Sequence, residues 1–188
     1  MPSCDLHNSK KSHDDEYLLF ALSGSYTSSG VGLAQFLTKV RRAFEKRPSK
    51  AANFVRRSAP VQLKRVGDTE WEQGAQVIID GARVDGVLSN CARALYYHHT
   101  RTKFQGPSEV LTNFTMYLDE KVQSSVSEAF DTTARTMAAE PLLGENPAIF
   151  SYKFKETESM VIFYFCFYEN STAIVRFRKI LLAPWAEA

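Results

Sequence analysis

Cysteine is scarce in this chain: Cys4, Cys91 and Cys166 are odd in number and far apart, which excludes a small disulfide-stapled scaffold. No basic segment followed by an apolar run opens the sequence, so a secretory signal is not expected and a reducing cytoplasm is the expected location. Long hydrophobic runs are missing too. The longest, MVIFYFCFY from Met160 to Tyr168, is less than half of the ~20 residues that a helical membrane crossing requires. It reads as a buried strand, and no membrane association is expected. The sequence also lacks a Gly-rich phosphate loop, a Gly-x-Ser-x-Gly elbow and a Walker-type lysine, and with them the chemistries that depend on those turns. Aromatics are abundant by contrast. Thirteen Phe and eight Tyr in a chain that is 44% hydrophobic exceed what a disordered segment carries. The length suits one core, so residues 1–188 are read as a single domain.

Acidic residues are nearly absent from one stretch. Between Lys39 and Arg65 there are ten basic residues against Glu45 alone, a local balance of +9, so the net charge of +2 leaves −7 for the rest of the chain. Such asymmetry points to polyanionic partners. Arg41, Arg42, Lys46, Arg47, Arg56 and Arg57 are the candidate phosphate contacts, with DNA as the expected partner across the 39–65 window. The competing reading is a solvated helix face. No aromatic interleaving of the kind that stacks single-stranded bases is visible in the linear order.

Periodicity divides the chain. Ser12, followed by His13-Asp14-Asp15-Glu16, predicts an N-cap with three carboxylates near the positive helix end. The helix that follows turns Tyr17, Leu18, Leu19 and Leu22 inward and ends in SGSYTSSG. A second helix is expected from Val31, with Leu33, Phe36, Leu37, Val40 and Phe44 on one face and Pro48 as its stop. Ser49 is expected to cap a short third helix. VQLKRV and AQVIID read as a hairpin, and RVDGVLSNCARALYYHHT as the central core helix. The stretch 101–121 reads as loop with a strand fragment in FTMYL, and Ser125-x-x-Glu128 as the capping box of a helix ending before Pro141. The last third changes to period two. IFSYKFK alternates with one wet side, MVIFYFCFY has no polar face, and AIVRFRKIL returns, giving a three-stranded β-meander. The expected fold is α+β: a helical N-terminal half packed on an antiparallel sheet that ends in this meander.

Cys4-x-x-His7 has the spacing of half a zinc site, but the sequence contains no second such pair. His98-His99 invites a metal or base reading. Adjacent positions on a helix point about 100° apart, so a decorated, dipole-favoured C-terminal turn is the simpler account. Cys91 and Cys166 fall in apolar patterns and read as core residues.

The opening Cys-x-x-His-Asn-x-x-Lys, as Cys4, His7, Asn8 and Lys11, resembles the last segment of HNH-type nucleases. DDEYL, the basic helices, ARALYYHHT and the strands around FYFCFY resemble the segments that follow that motif in uncharacterised bacterial HNH-like proteins. The resemblance implies that residues 1–12 are a partial zinc knuckle. It makes Cys4 and His7 structural-zinc ligands, Asn8 a ligand of a catalytic divalent metal such as magnesium, and Lys11 a phosphate-facing cation. The family's other zinc ligands and its general-base His lie upstream of this segment, where the sequence has only Met1-Pro2-Ser3. The expectation is therefore a chain that binds no metal and cleaves no DNA as it stands, either a natural remnant or a reading frame begun at an internal methionine. A hydrolytic nuclease needs both a base and a metal. The alternative is a non-catalytic bacterial protein-interaction or homo-oligomerising domain, associating through strand edges and a helical face.

Overall fold

The computed structural model of the chain describes residues 5–64, 69–115 and 120–179, and of residues 5–12, 50 and 51 the backbone alone. Helix α1 (Asp5–Ser23) leads into α2 (Gly30–Gln35), a π-helical turn (Phe36–Val40), α3 (Arg41–Lys46) and α4 (Pro48–Arg56). A two-stranded antiparallel hairpin follows, β1 (Ser58–Leu63) with β2 (Glu72–Val77), and then the long helix α5 (Gly81–Thr100). Strand β3 (Ser108–Thr112), helix α6 (Glu120–Thr136), and strands β4 (Leu143–Asn146), β5 (Phe150–Glu156), β6 (Met160–Phe167) and β7 (Ser171–Arg178) complete the chain. Strands β3 to β7 form one antiparallel sheet in the order β3-β7-β6-β5-β4. The fold is α+β, and the expected meander is its centre, widened by one edge strand on each side. Among the described residues no helix is long and apolar enough to cross a membrane.

The core lies on one sheet face. The apolar run of β6 sits in the middle strand, where Val161, Phe163 and Phe165 are fully buried together with Ala173, Val175 and Phe177 of β7. Val84, Leu88 and Ala92 of α5 and Leu18 and Leu22 of α1 close over them. Those spacings of four keep the residues on one helix face. The two helices are tied at their ends by polar contacts. Tyr17 Oη accepts the Asp80 N–H at 2.6 Å, Arg83 Nε donates to Asp14 Oδ1 at 2.8 Å, and the Arg83 guanidinium lies 4.2 Å from the centre of the Tyr17 ring. Asp80 in turn caps α5 by accepting from the Arg83 N–H.

The opposite sheet face is covered as well, which corrects the expectation of a wet side on β5. Phe130 of α6 meets the Tyr164 ring edge-on at 6.2 Å, and Val126 and Thr133 of α6 are buried with Met137 just after it, as is Ile174 of β7. Lys153 Nζ donates to the carbonyls of Met137 at 2.8 Å and Ala138 at 3.2 Å, and Lys155 Nζ to that of Thr136 at 3.3 Å. The alternating lysines of β5 thus meet the carbonyl-rich end of α6, where cations are favoured.

Several local expectations change. The backbone is helical from Asp5, so Ser12 lies inside α1 and does not cap it. No Gly or Pro lies between Asp5 and Ser23 to stop a helix from extending past a cap-like residue. Ser125 likewise sits inside α6, which begins at Glu120. Pro48 opens α4 at its first turn, where a missing N–H costs nothing, instead of Ser49 capping it. The strand in the 101–121 segment is Ser108–Thr112, and of FTMYL only Phe114 and Thr115 lie within the described residues. The second helix is wound differently. At its π-turn the Arg41 N–H reaches back to the Phe36 carbonyl, and the wider turn shifts the phase of the inward face. Val40 is buried, while Leu33 and Leu37 are 53% and 56% exposed.

Candidate functional site

Cys4 lies outside the described residues, and of His7, Asn8 and Lys11 the structure places only the helical backbone of α1. Among the described residues no group of three or more His, Cys, Asp or Glu is placed to hold a metal ion.

Apart from Lys11 on α1, the candidate nucleic-acid contacts lie on the arm formed by α2, the π-turn, α3 and α4, with Arg57 directly after α4. Arg41, Arg42, Lys46, Arg47, Arg56 and Arg57 are each exposed. They are not equivalent. Arg41 Nε is bound to Glu45 Oε1 at 2.9 Å, one turn away, and Arg47 reaches Glu16 of α1 at 3.4 Å. Such exposed pairs add little to stability, but they occupy the cations. Arg42, Lys46, Arg56 and Arg57, with Lys39 beside them, make no ion pair or side-chain hydrogen bond among the described residues. Lys64, at the end of the window, lies over the Trp71 ring at 5.9 Å.

Beneath the arm is a feature that linear order hides. Phe20 of α1 packs edge-on against Phe54 of α4 at 4.7 Å and lies 6.0 Å from Phe44 of α3 and 6.3 Å from Phe36. Beside these rings opens a cleft of about 830 Å³, bounded by α1, the π-turn, α3, α4 and β2. Its walls include Leu19, Phe20, Val40, Phe44, Phe54 and Val77, and its polar groups include Asp15, Glu16, Lys39, Asn53, Arg57 and Arg83. Two of the unpaired cations of the basic window, Lys39 and Arg57, therefore line an apolar cleft. The four phenylalanines are spread over thirty-five positions; only the pairing of α1 with the arm makes them neighbours.

His98 and His99 end α5 as a dipole argument expects. Their rings meet edge-on at 5.5 Å. The His99 ring stacks on Phe154 at 4.8 Å with 4° between planes, and its Nε2 shares a 3.0 Å hydrogen bond with Tyr152 Oη. His99 is exposed overall, yet partial desolvation of its ring against Phe154, and then the neighbouring His98 charge, lower its pKa from the usual imidazole range. The unfolded chain thus takes up this proton at a pH where the folded one resists it, so His99 contributes stability at neutral pH that is lost as pH falls through the ordinary imidazole range. Urea midpoints measured from pH 7.5 to 5 should drop more steeply in the wild type than in His99→Gln. Equal slopes would show that the stacked ring does not feel its surroundings. Cys166 has its thiol pKa raised, chiefly by burial, which fits an inert structural role. Cys91 is likewise half-buried.

No protein-family model, curated protein sequence or solved structure matches the chain.

Proposed function

We propose that this chain is the C-terminal part of an HNH-nuclease-like protein that lies against nucleic acid through its basic helical arm and carries no complete catalytic centre of its own. The observation that supports this reading most is the set of exposed cations on one arm, Arg42, Lys46 and Arg56 foremost, that no acidic side chain among the described residues neutralises. Surface cations whose field is left open attract phosphate without reading sequence. Zinc on Cys4 and His7, a divalent metal on Asn8 and phosphate near Lys11 are the assignments that the resemblance implies for the opening segment. Neither Asn8 nor Lys11 can take a proton from water at neutral pH, so these residues alone do not make a hydrolytic site.

The test is retention of the purified chain on duplex DNA of arbitrary sequence. Binding should be tight at low salt, indifferent to sequence, and weaken linearly on a log–log plot as salt rises, by about 0.9 per phosphate contact. An absence of retention at low salt would end this reading.

A second reading, a non-catalytic module that pairs with itself or with another protein, is favoured by Leu33 and Leu37. They lie one turn apart on the arm, and both are more than half exposed. A dimer in sedimentation that is unchanged by duplex DNA and dissolved by Leu37→Lys would decide for it.

A further inference from the structure

We infer that the cleft between α1, the helical arm and β2 binds a small amphipathic anion, an aliphatic or aromatic body carrying one carboxylate-like head. This inference does not rest on the nucleic-acid reading. At about 830 Å³ the cleft falls within the range of about 300–1,000 Å³ typical of small-molecule sites, which are mainly apolar with a few placed polar groups. The lining has that composition. Leu19, Phe20, Val40, Phe44, Phe54 and Val77 supply the walls, and burying an apolar body against them is favourable in proportion to the area removed from water.

The charges select the head group. Of the charged residues lining the cleft, Arg83 is neutralised by Asp14 at 2.6 Å, and Glu16 by Arg47. Lys39 and Arg57 remain without partners among the described residues, against the single carboxylate of Asp15. Two positive charges less one leave a surplus of +1, with His13 neutral. A monoanion balances that surplus; a neutral body of the same shape leaves it unmet.

A third feature is the π-turn. Phe36–Val40 is the only π-helical segment among the described residues, and it carries Val40 and Lys39 into the cleft. Such turns interrupt helices frequently at functional positions. Here the wider turn gives the cleft both an apolar wall residue and a cation from adjacent positions.

The experiment titrates the full 188-residue chain with dodecanoate below its micelle concentration, beside dodecanol and a purine mononucleotide. Calorimetry would read affinity, and amide chemical shifts location. Dodecanoate should bind one to one and move the amides of Val40, Ala43, Phe54 and Val77, while dodecanol binds at least tenfold more weakly. Lys39→Gln and Arg57→Gln, both at exposed positions, should each weaken dodecanoate by about tenfold without affecting dodecanol, as expected for losing one charge-assisted contact. Equal affinity for the alcohol, unchanged binding in both variants, or shifts confined to other elements would overturn the inference. Tighter binding of the mononucleotide would also overturn it and make the cleft a base pocket. A variant that replaces Arg42, Lys46 and Arg56 keeps Lys39 and Arg57 and tests the DNA reading without touching the cleft cations, so failure of either proposal leaves the other standing.

Discussion

Replacing Arg42, Lys46 and Arg56 together by Ser should lower the affinity of the chain for duplex DNA by about 10²–10³-fold at roughly 0.1 M salt, and should flatten the log–log salt slope by about 2.7, three contacts at about 0.9 each. The size of the effect follows from counterion release, in which each neutralised phosphate frees condensed cations whatever the base sequence. The fold should be spared, since all three side chains are exposed and unpaired among the described residues. Exchanging solvated surface groups away from caps and cores typically shifts stability by about 0.5 kcal/mol or less. Arg41→Ser is the internal control. Its guanidinium is held by Glu45 at 2.9 Å, so removing it also releases a carboxylate toward the DNA. Its loss should therefore weaken binding while changing the slope no more than a single free cation does. If the triple variant keeps the wild-type slope, the phosphates are contacted elsewhere, and the arm is a solvated face.

The pattern of the last third was readable because strands with a period of two, or with no polar face, leave few alternatives: MVIFYFCFY became the middle strand, with Phe163 and Phe165 fully buried. The core helix was readable for the same reason, as Val84, Leu88 and Ala92 recur at helical spacing. Boundaries were less so. Ser12 and Ser125 each begin a capping-box pattern yet lie inside longer helices, because a cap residue permits a helix start without forbidding the helix to pass through it. The phase of the arm could not be read either. A π-turn has no strong sequence signature, and one wide turn was enough to bring Leu33 and Leu37 to the surface. The cleft was hidden for a different reason. Phe20, Phe36, Phe44 and Phe54 meet only through the packing of α1 on the arm, and a charge window gives no indication that two of its cations face apolar walls. The N-terminal resemblance and the basic arm each need their own measurement.

Truncating the centre of the sheet should have the largest effect on stability. Phe163 is fully buried in β6 between Phe154 of β5 and Val175 of β7 in the register, and its ring lies 4.9 Å from Phe154, 5.8 Å from Phe165 and 6.5 Å from Phe177. Its neighbours come from three strands and are covered by α1 and α5, so the structure cannot readily collapse into the space that Phe163→Ala leaves. The expected cost is about 3–5 kcal/mol, transfer and cavity terms together, a large part of the roughly 5–15 kcal/mol that holds a domain of this kind folded. Phe130→Ala on α6 is the comparison. Phe130 is half-buried and meets the sheet through the Tyr164 ring, so water can fill the vacated space and the cost should be nearer about 1 kcal/mol. Urea unfolding of both variants at neutral pH, with an unchanged denaturant slope, gives the two numbers directly. Equal losses would mean that the α6 layer is as tightly packed as the α1/α5 layer, and a loss below about 1.5 kcal/mol for Phe163→Ala would mean that the sheet centre relaxes far more than close packing allows.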